Sequence, residues 1–264
     1  MRKALLLLCA ASFFLWFPFA YKRWSHPFRI TKCLIEWPYN PDWDIPGEPP
    51  REIGALFAEP FTYLAKGKQS YVFLSSDGKH VLKLFRFDRC KTPFGQAFVH
   101  WARGRLGLRP KAPRKEFSER ALRTFQSSWL CFQKAQLQTG VEWVHLNPEA
   151  GKIPPFQVKD RLGRTFRIDP SRIRLAVQKR AEPLLESMKD PARQDELASS
   201  FCSLIDQLAA LGFSNDDRKV GQNFGILEGR AVALDIGNFA QVESVSAEET
   251  AVFKERMRQW LSKH

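Results

Sequence analysis

The sequence predicts an α+β protein: an antiparallel β-rich half, then a shorter and mostly helical half, both behind an N-terminal membrane segment. Three observations lead there. Short β-rich runs with a tight-turn signal occupy residues 61–87. Two long apolar stripes at helical spacing follow, over 117–135 and 191–211. An uncharged run precedes all of them.

That run extends from Ala4 to Ala20, after Arg2-Lys3 and before Tyr21-Lys22-Arg23-Trp24. Its 17 residues sit at the lower limit for crossing a bilayer, with Phe and Trp suited to the interface. Residues 1–23 therefore read as an uncleaved anchor, so the membrane is a partner through residues 4–20. A cleaved signal peptide is the alternative, but Pro18 fits poorly three residues before a cut at Ala20. A lipoprotein site at Cys9 fits no better, since Leu8 stands where a small residue is wanted. Lys22, Arg23, Arg29 and Lys32 outweigh Arg2 and Lys3, which puts the C-terminal side in the cytoplasm. Residues 24–60 form a Pro/Trp-rich linker whose prolines exclude a long regular element and which reads as hugging the next domain.

The domain proper spans 61–264, with a β-rich part to about 180 and a helical part beyond. Phe61 to Ala65, Ser70 to Leu74 and His80 to Phe87 read as strands, the last two joined at Asp77-Gly78. Alternation sets Val81, Lys83 and Phe85 on one face of the third strand. A lysine between apolar neighbours is uncommon, although one on an edge strand would simply snorkel. Phe117, Ala121, Phe125, Trp129, Phe132 and Ala135 then mark a long helix stopped by Gly140. Val141 to Leu146 reads as a strand, Val158 to Ile168 as a hairpin about Leu162-Gly163, and Arg174 to Lys179 as another strand. Asp190 caps the next helix, with Pro191 at its first position. Leu197, Phe201, Leu204, Ile205, Leu208 and Leu211 are its stripe, and Gly212 ends it. A hairpin turns at Glu228-Gly229-Arg230, and a last helix starts at the capping-box pair Ser246 and Glu249.

The formal net charge of +13 favours anionic partners. Residues 91–115 hold seven cations and no acid, interleaved with Phe94, Phe98 and Trp101, but no nucleic-acid motif accompanies them. The five cysteines and five histidines have no metal-ligand spacing, and nothing marks a Ser-His-Asp or Cys-His nucleophile. Cys/His metal-site, disulfide and hydrolase readings therefore have no support.

One constellation remains. Asn223 precedes the first strand of the second hairpin and Asp235 follows the second strand, so one end of the hairpin carries two oxygen ligands. Asp217 lies in the loop before it. Phosphoryl transfer needs such a metal set, a cation on the phosphates and a carboxylate near the acceptor. AKGKQSYVFLSSDGKHVLKLF, FSNDDRKVGQN and LDIGNF, in that order, resemble the protein-kinase-like superfamily, in the style of small bacterial members with an abbreviated C-lobe.

The resemblance implies a two-lobe fold with ATP and Mg as cofactors. It implies Gly67 in a nucleotide-covering loop, Lys83 on the phosphates, Asp217 as catalytic base, and Asn223 and Asp235 on the metal. It also implies that RLAVQKRAEPL is the hinge beside adenine. Several features depart from the family pattern. The covering loop has one glycine, Ile236 replaces an aromatic residue, and only 27 residues follow Gly237. Asp216 competes with Asp217, and the partner of Lys83 is Glu116, Glu119 or none. A phosphotransferase with an unknown acceptor, an inactive kinase-like scaffold or nucleotide sensor, and a basic membrane- or nucleic-acid-associated binding protein all remain open.

Overall fold

A computed structural model describes residues 28–34, 38–86, 105, 114–148 and 152–262, with the backbone alone at 114–118 and 120. The expected anchor (1–23) and most of the basic stretch 91–115 lie outside these residues. Among the described residues no helix is long and apolar enough to cross a membrane.

The β-rich half is one seven-stranded sheet. Strands β1 (Phe61–Lys66), β2 (Ser70–Leu74) and β3 (His80–Phe85) form an antiparallel meander. Gly78, at φ 70°, and the Asp77 carboxylate, which accepts the Lys79 amide at 2.9 Å, make the β2–β3 turn. Next come β4 (Val141–His145), β5 (Phe156–Lys159), β6 (Thr165–Ile168) and β7 (Leu175–Lys179). The order across the sheet is β4-β7-β3-β2-β1-β5-β6, antiparallel except for the parallel β1–β5 pair.

Strand β3 thus lies inside the sheet, and Lys83 is no edge-strand lysine. Alternation along it is incomplete, because Leu82 and Leu84 are as buried as Val81 and Phe85. A strand covered on both faces loses the period-two signal.

One face of the sheet is covered by the chain that precedes it. Phe28, Ile53 on the short helix α1 (Arg51–Leu56) and Phe57 pack against Phe61, Tyr71, Phe73, Leu82 and Leu84. The other face carries Phe85, Val144 and Ala176 and meets the helices. Helix α2 (Arg114–Lys134) supplies Ala121, Phe125 and Cys131 to that core. The expected helix to Gly140 is interrupted. Ala135 leaves helical geometry at φ −137°, and a single turn α3 (Gln136–Thr139) runs to Gly140, which is left-handed at φ 67°.

In the second half, β8 (Glu182–Pro183) leads into α4 (Leu184–Ser187). Asp190 accepts the Ala192 amide ahead of α5 (Gln194–Ala210). Leu197, Phe201, Leu204, Ile205 and Leu208 are buried on one side of α5, as the spacing requires. Strand β9 (Phe213–Asn215) and a single turn α6 (Val220–Asn223) precede the hairpin β10 (Phe224–Leu227) and β11 (Arg230–Ala233). Its turn residues Glu228 and Gly229 both have positive φ, 50° and 79°, the primed geometry that matches strand twist. Strand β12 (Phe239–Gln241) pairs antiparallel with β9, and α7 (Ala247–Leu261) ends the described fold.

The capping-box expectation is half met. Ser246 Oγ accepts the Glu249 amide at 3.1 Å, but the Glu249 carboxylate does not return to the cap. It accepts the Asn215 amide at 2.8 Å and the Ser214 hydroxyl at 3.0 Å.

Candidate functional site

Two pairings bring distant residues together. The β10–β11 hairpin sets Asn223 beside Leu234 and Asp235, whose amides both donate to the Asn223 carbonyl, at 2.7 and 3.3 Å. The β9–β12 pair sets Asn215 opposite Phe239, so the loop carrying Asp217 runs alongside the segment after Asp235. Asn223, 6% exposed, closes the arrangement by donating Nδ2 to the Asp217 carbonyl at 3.1 Å.

Lys83 reaches this point from the sheet. Its ammonium donates to the Leu234 carbonyl. Burial pushes its pKa down to about 8, while Asp235 and Cys131 act in the opposite direction. Cys131, on the facing side of α2, is itself pushed up, chiefly by burial, with Lys83 opposing. No ion pair among the described residues involves Lys83. Glu119 is exposed, and the side chain of Glu116 lies outside the described residues.

Asp235 is half-buried. Its Oδ1 accepts the Gly237 amide at 3.1 Å and its Oδ2 the Asn238 amide nitrogen at 2.7 Å. Each oxygen keeps a lone pair. The Asn223 Nδ2 is committed, and no donor among the described residues reaches its Oδ1. One carboxylate and one free amide oxygen suit a magnesium ion whose other ligands are phosphate and water. They make no all-protein cage, and the described residues contain no cluster of three His, Cys, Asp or Glu that could form one.

The two aspartates of the loop differ. Asp217 is half-buried, its amide held by Asn215 Oδ1 at 2.9 Å, and its carboxylate lies 3.7 Å from Lys219 Nζ. The Asp216 side chain is 95% exposed and 4.0 Å from an exposed Arg123, a contact worth little in water. The position is therefore fixed at 217 and loose at 216.

Gly67 sits in the turn between β1 and β2, its amide on the Ser70 carbonyl and its own carbonyl on the Arg86 guanidinium, both at 2.9 Å. A Cβ there would meet nothing closer than 3.7 Å, so the present loop shape makes no demand for glycine. Gln69 in the same turn donates to Asn238 Oδ1 at 3.0 Å and to the Gly237 carbonyl at 3.4 Å, tying the loop to the Asp235 segment.

No family model matches the chain, and no curated protein matches it. Among solved structures, the bifunctional kinase-methyltransferase WbdD is similar at 16% identity with a TM-score of 0.40. The match covers 73% of this chain and 34% of that one, so this chain matches about a third of the length of WbdD. The architecture itself, a large mostly antiparallel sheet followed by a mainly helical part, is compatible with a two-lobe kinase-like fold.

Sequence reasoning missed the polar face of α2. Ser127, fully buried, accepts the Phe239 amide at 2.8 Å and donates to the Ile236 carbonyl at 2.7 Å. Thr124, Ser127, Ser128 and Cys131 recur at three and four beside the apolar stripe and mark a second buried face. Ser127→Ala would remove the acceptor of the Phe239 amide and leave the Ile236 carbonyl only the longer 3.4 Å bond from the Ser128 hydroxyl. The expected loss is about 1–3 kcal/mol, read as a lower urea midpoint with an unchanged slope. An unchanged midpoint would remove Ser127 from the site. Gln69 gave no local signal, because its partners lie 168 and 169 residues away.

Proposed function

We propose that the chain is a kinase-like protein that binds Mg-ATP between the β1–β3 sheet and the β10–β12 region, tethered to the membrane through residues 4–20. One observation carries the reading. Lys83, Asp235, Asn223 and Asp217, drawn from separate stretches of sequence, meet through direct bonds among Leu234, Asn223 and Asp217. Asp235 and the Asn223 amide oxygen would hold the metal, and Lys83 would face the phosphates. Bound Mg-ATP supplies an activated γ-phosphoryl group and a metal that neutralises its charge. Asp217 then stands where an acceptor hydroxyl would be oriented.

Saturating Mg-ATP at about 100 times its Kd should raise the melting temperature by about 5–10 °C, the equivalent of ~2.7 kcal/mol. The free Lys83 amine, held near pH 8 by burial, must be protonated to meet phosphate. Below that pH it is already charged; above it, binding takes up a proton. Affinity should therefore fall by up to ~10-fold per pH unit above about 8. Calorimetry in buffers of different ionisation heat should register that uptake. No thermal shift at any Mg-ATP concentration would sink the reading.

A second reading, an inactive scaffold or sensor, is favoured by one contact. Lys83 is engaged by a backbone carbonyl, and no α2 carboxylate among the described residues meets it. Phosphate transfer to any acceptor, abolished in Asp217→Asn, would reject the scaffold.

A further inference from the structure

The β5–β6 hairpin extends the sheet beyond β1 and carries a cationic outer surface. Its inward side chains Phe156, Val158 and Ile168 are buried, as a sheet edge requires. Its outward and tip positions hold Lys159, Arg161, Arg164 and Arg167, all exposed, against one carboxylate, Asp160. That carboxylate is spent internally. It is buried, accepts the Leu162 and Arg164 amides at 2.9 and 3.0 Å, and takes Arg164 Nη2 at 2.6 Å. The hairpin therefore faces outward as a cationic surface. No ion pair among the described residues involves Lys159, Arg161 or Arg167.

An apolar component accompanies the charge. Of the four exposed large apolar side chains among the described residues, Leu162 is the tip of this hairpin and Leu64 lies on the adjoining strand β1. Leu64 follows the Thr62–Lys159 pairing by two residues, with exposed Lys66 and Lys68 beyond it. Cations around exposed leucines are the composition of a surface that settles into an anionic headgroup layer.

The point of chain entry agrees. Phe28 packs edge-on against Phe166 of β6, with ring centroids 5.2 Å apart, and against Tyr71 and Phe73. Seven residues separate Phe28 from the end of the apolar run at Ala20, a reach of at most ~29 Å over the eight steps. A run held in a bilayer would keep this hairpin beside the lipid surface at high effective concentration.

We propose that the β5–β6 hairpin is a docking surface for an anionic lipid bilayer, with Lys159, Arg161 and Arg167 contacting headgroups and Leu162 entering the interface. The inference deepens the tethered reading above and is independent of the nucleotide site. Full-length protein with vesicles of phosphatidylcholine, alone or mixed with phosphatidylglycerol, tests it by amide hydrogen exchange. Peptides covering 159–167 should exchange more slowly on the anionic vesicles than on the neutral ones, and high salt should reverse the difference. The triple variant Lys159→Glu, Arg161→Glu, Arg167→Glu should weaken docking by at least roughly 100-fold and lose the slowing. Leu162→Ser, which keeps the charges, should reduce it. Equal exchange on both vesicles overturns the proposal. So does slowing by heparin on neutral vesicles without slowing on anionic ones, which assigns the cations to a soluble polyanion. Flotation with the neutral vesicles reads the tether separately.

Discussion

Asp235→Asn is expected to abolish the Mg-dependent part of the nucleotide shift while leaving the protein folded. The carboxylate is bonded to the Gly237 amide and to the Asn238 side chain. An asparagine keeps an acceptor for the Gly237 amide but turns an amide nitrogen toward Asn238 Nδ2, so the second bond is lost, at a cost of about 1–3 kcal/mol. Its effect on ligand is far larger. A magnesium ion brought in with triphosphate relies on very few protein oxygens, and of the two proposed ligands, Asp235 and the Asn223 amide, only Asp235 is an anion. The shift of about 5–10 °C expected for the parent should fall to near zero. Dye-monitored melting with ATP plus magnesium, and with ATP plus EDTA, separates the two contributions. A variant that keeps the full magnesium-dependent shift would place the metal elsewhere.

Gly212→Ala should be among the most damaging small substitutions in the fold. Gly212 closes α5 in the left-handed region at φ 74°. A Cβ there would lie 2.4 Å from the Val242 carbonyl oxygen and 2.5 Å from Gln241 Nε2. Gln241 could swing aside, but the Val242 backbone is fixed, since its amide donates to the Gly212 carbonyl at 2.9 Å. The left-handed conformation costs an alanine about 1 kcal/mol and the backbone displacement a further ~1–3 kcal/mol. A melting temperature lower by about 5–15 °C follows. Gly229→Ala is the control. Its φ is similarly positive at 79°, but nothing lies within 4 Å of the added Cβ, so only the conformational cost applies. Equal losses at the two positions would show that packing against Val242 contributes nothing. The displaced segment is β12, so the Gly212 variant should also bind nucleotide more weakly than its stability alone explains.

The sequence announced its local elements well, because their signals are local. Asp77-Gly78, Asp190-Pro191, Gly140, Gly212 and Glu228-Gly229 mark turns and helix ends through backbone chemistry that needs no tertiary context. Asn223 and Asp235 could be paired in advance because one short hairpin separates them. Contacts made at long range were silent. Nothing in the β9 segment, three residues long, advertises its pairing with β12. The polar face of α2 hid behind a stronger apolar stripe, and Lys83 could not reveal a carbonyl as its partner. The linker reading of residues 24–60 had the segment hugging the domain, but it did not single out Phe28, Trp43, Ile53 and Phe57 as the side chains that would be buried. Prolines forbid long elements there, but they do not prevent apolar side chains from covering a sheet.

The grip of Glu249 on Ser214 and Asn215 has a consequence for synthesis. Sheet, α5 and hairpin are all complete in the chain before Glu249 is added, yet the backbone leading to Asp217 is held by that later carboxylate. Arg256, two turns further on in α7, donates to the Arg218 carbonyl and doubles the hold. A nascent chain that has emerged only as far as Asp235 thus owns every residue of the site without the brace that sets its loop. The last helix to be made, α7, therefore both completes the helical core through Phe253 and Met257 and fastens that loop.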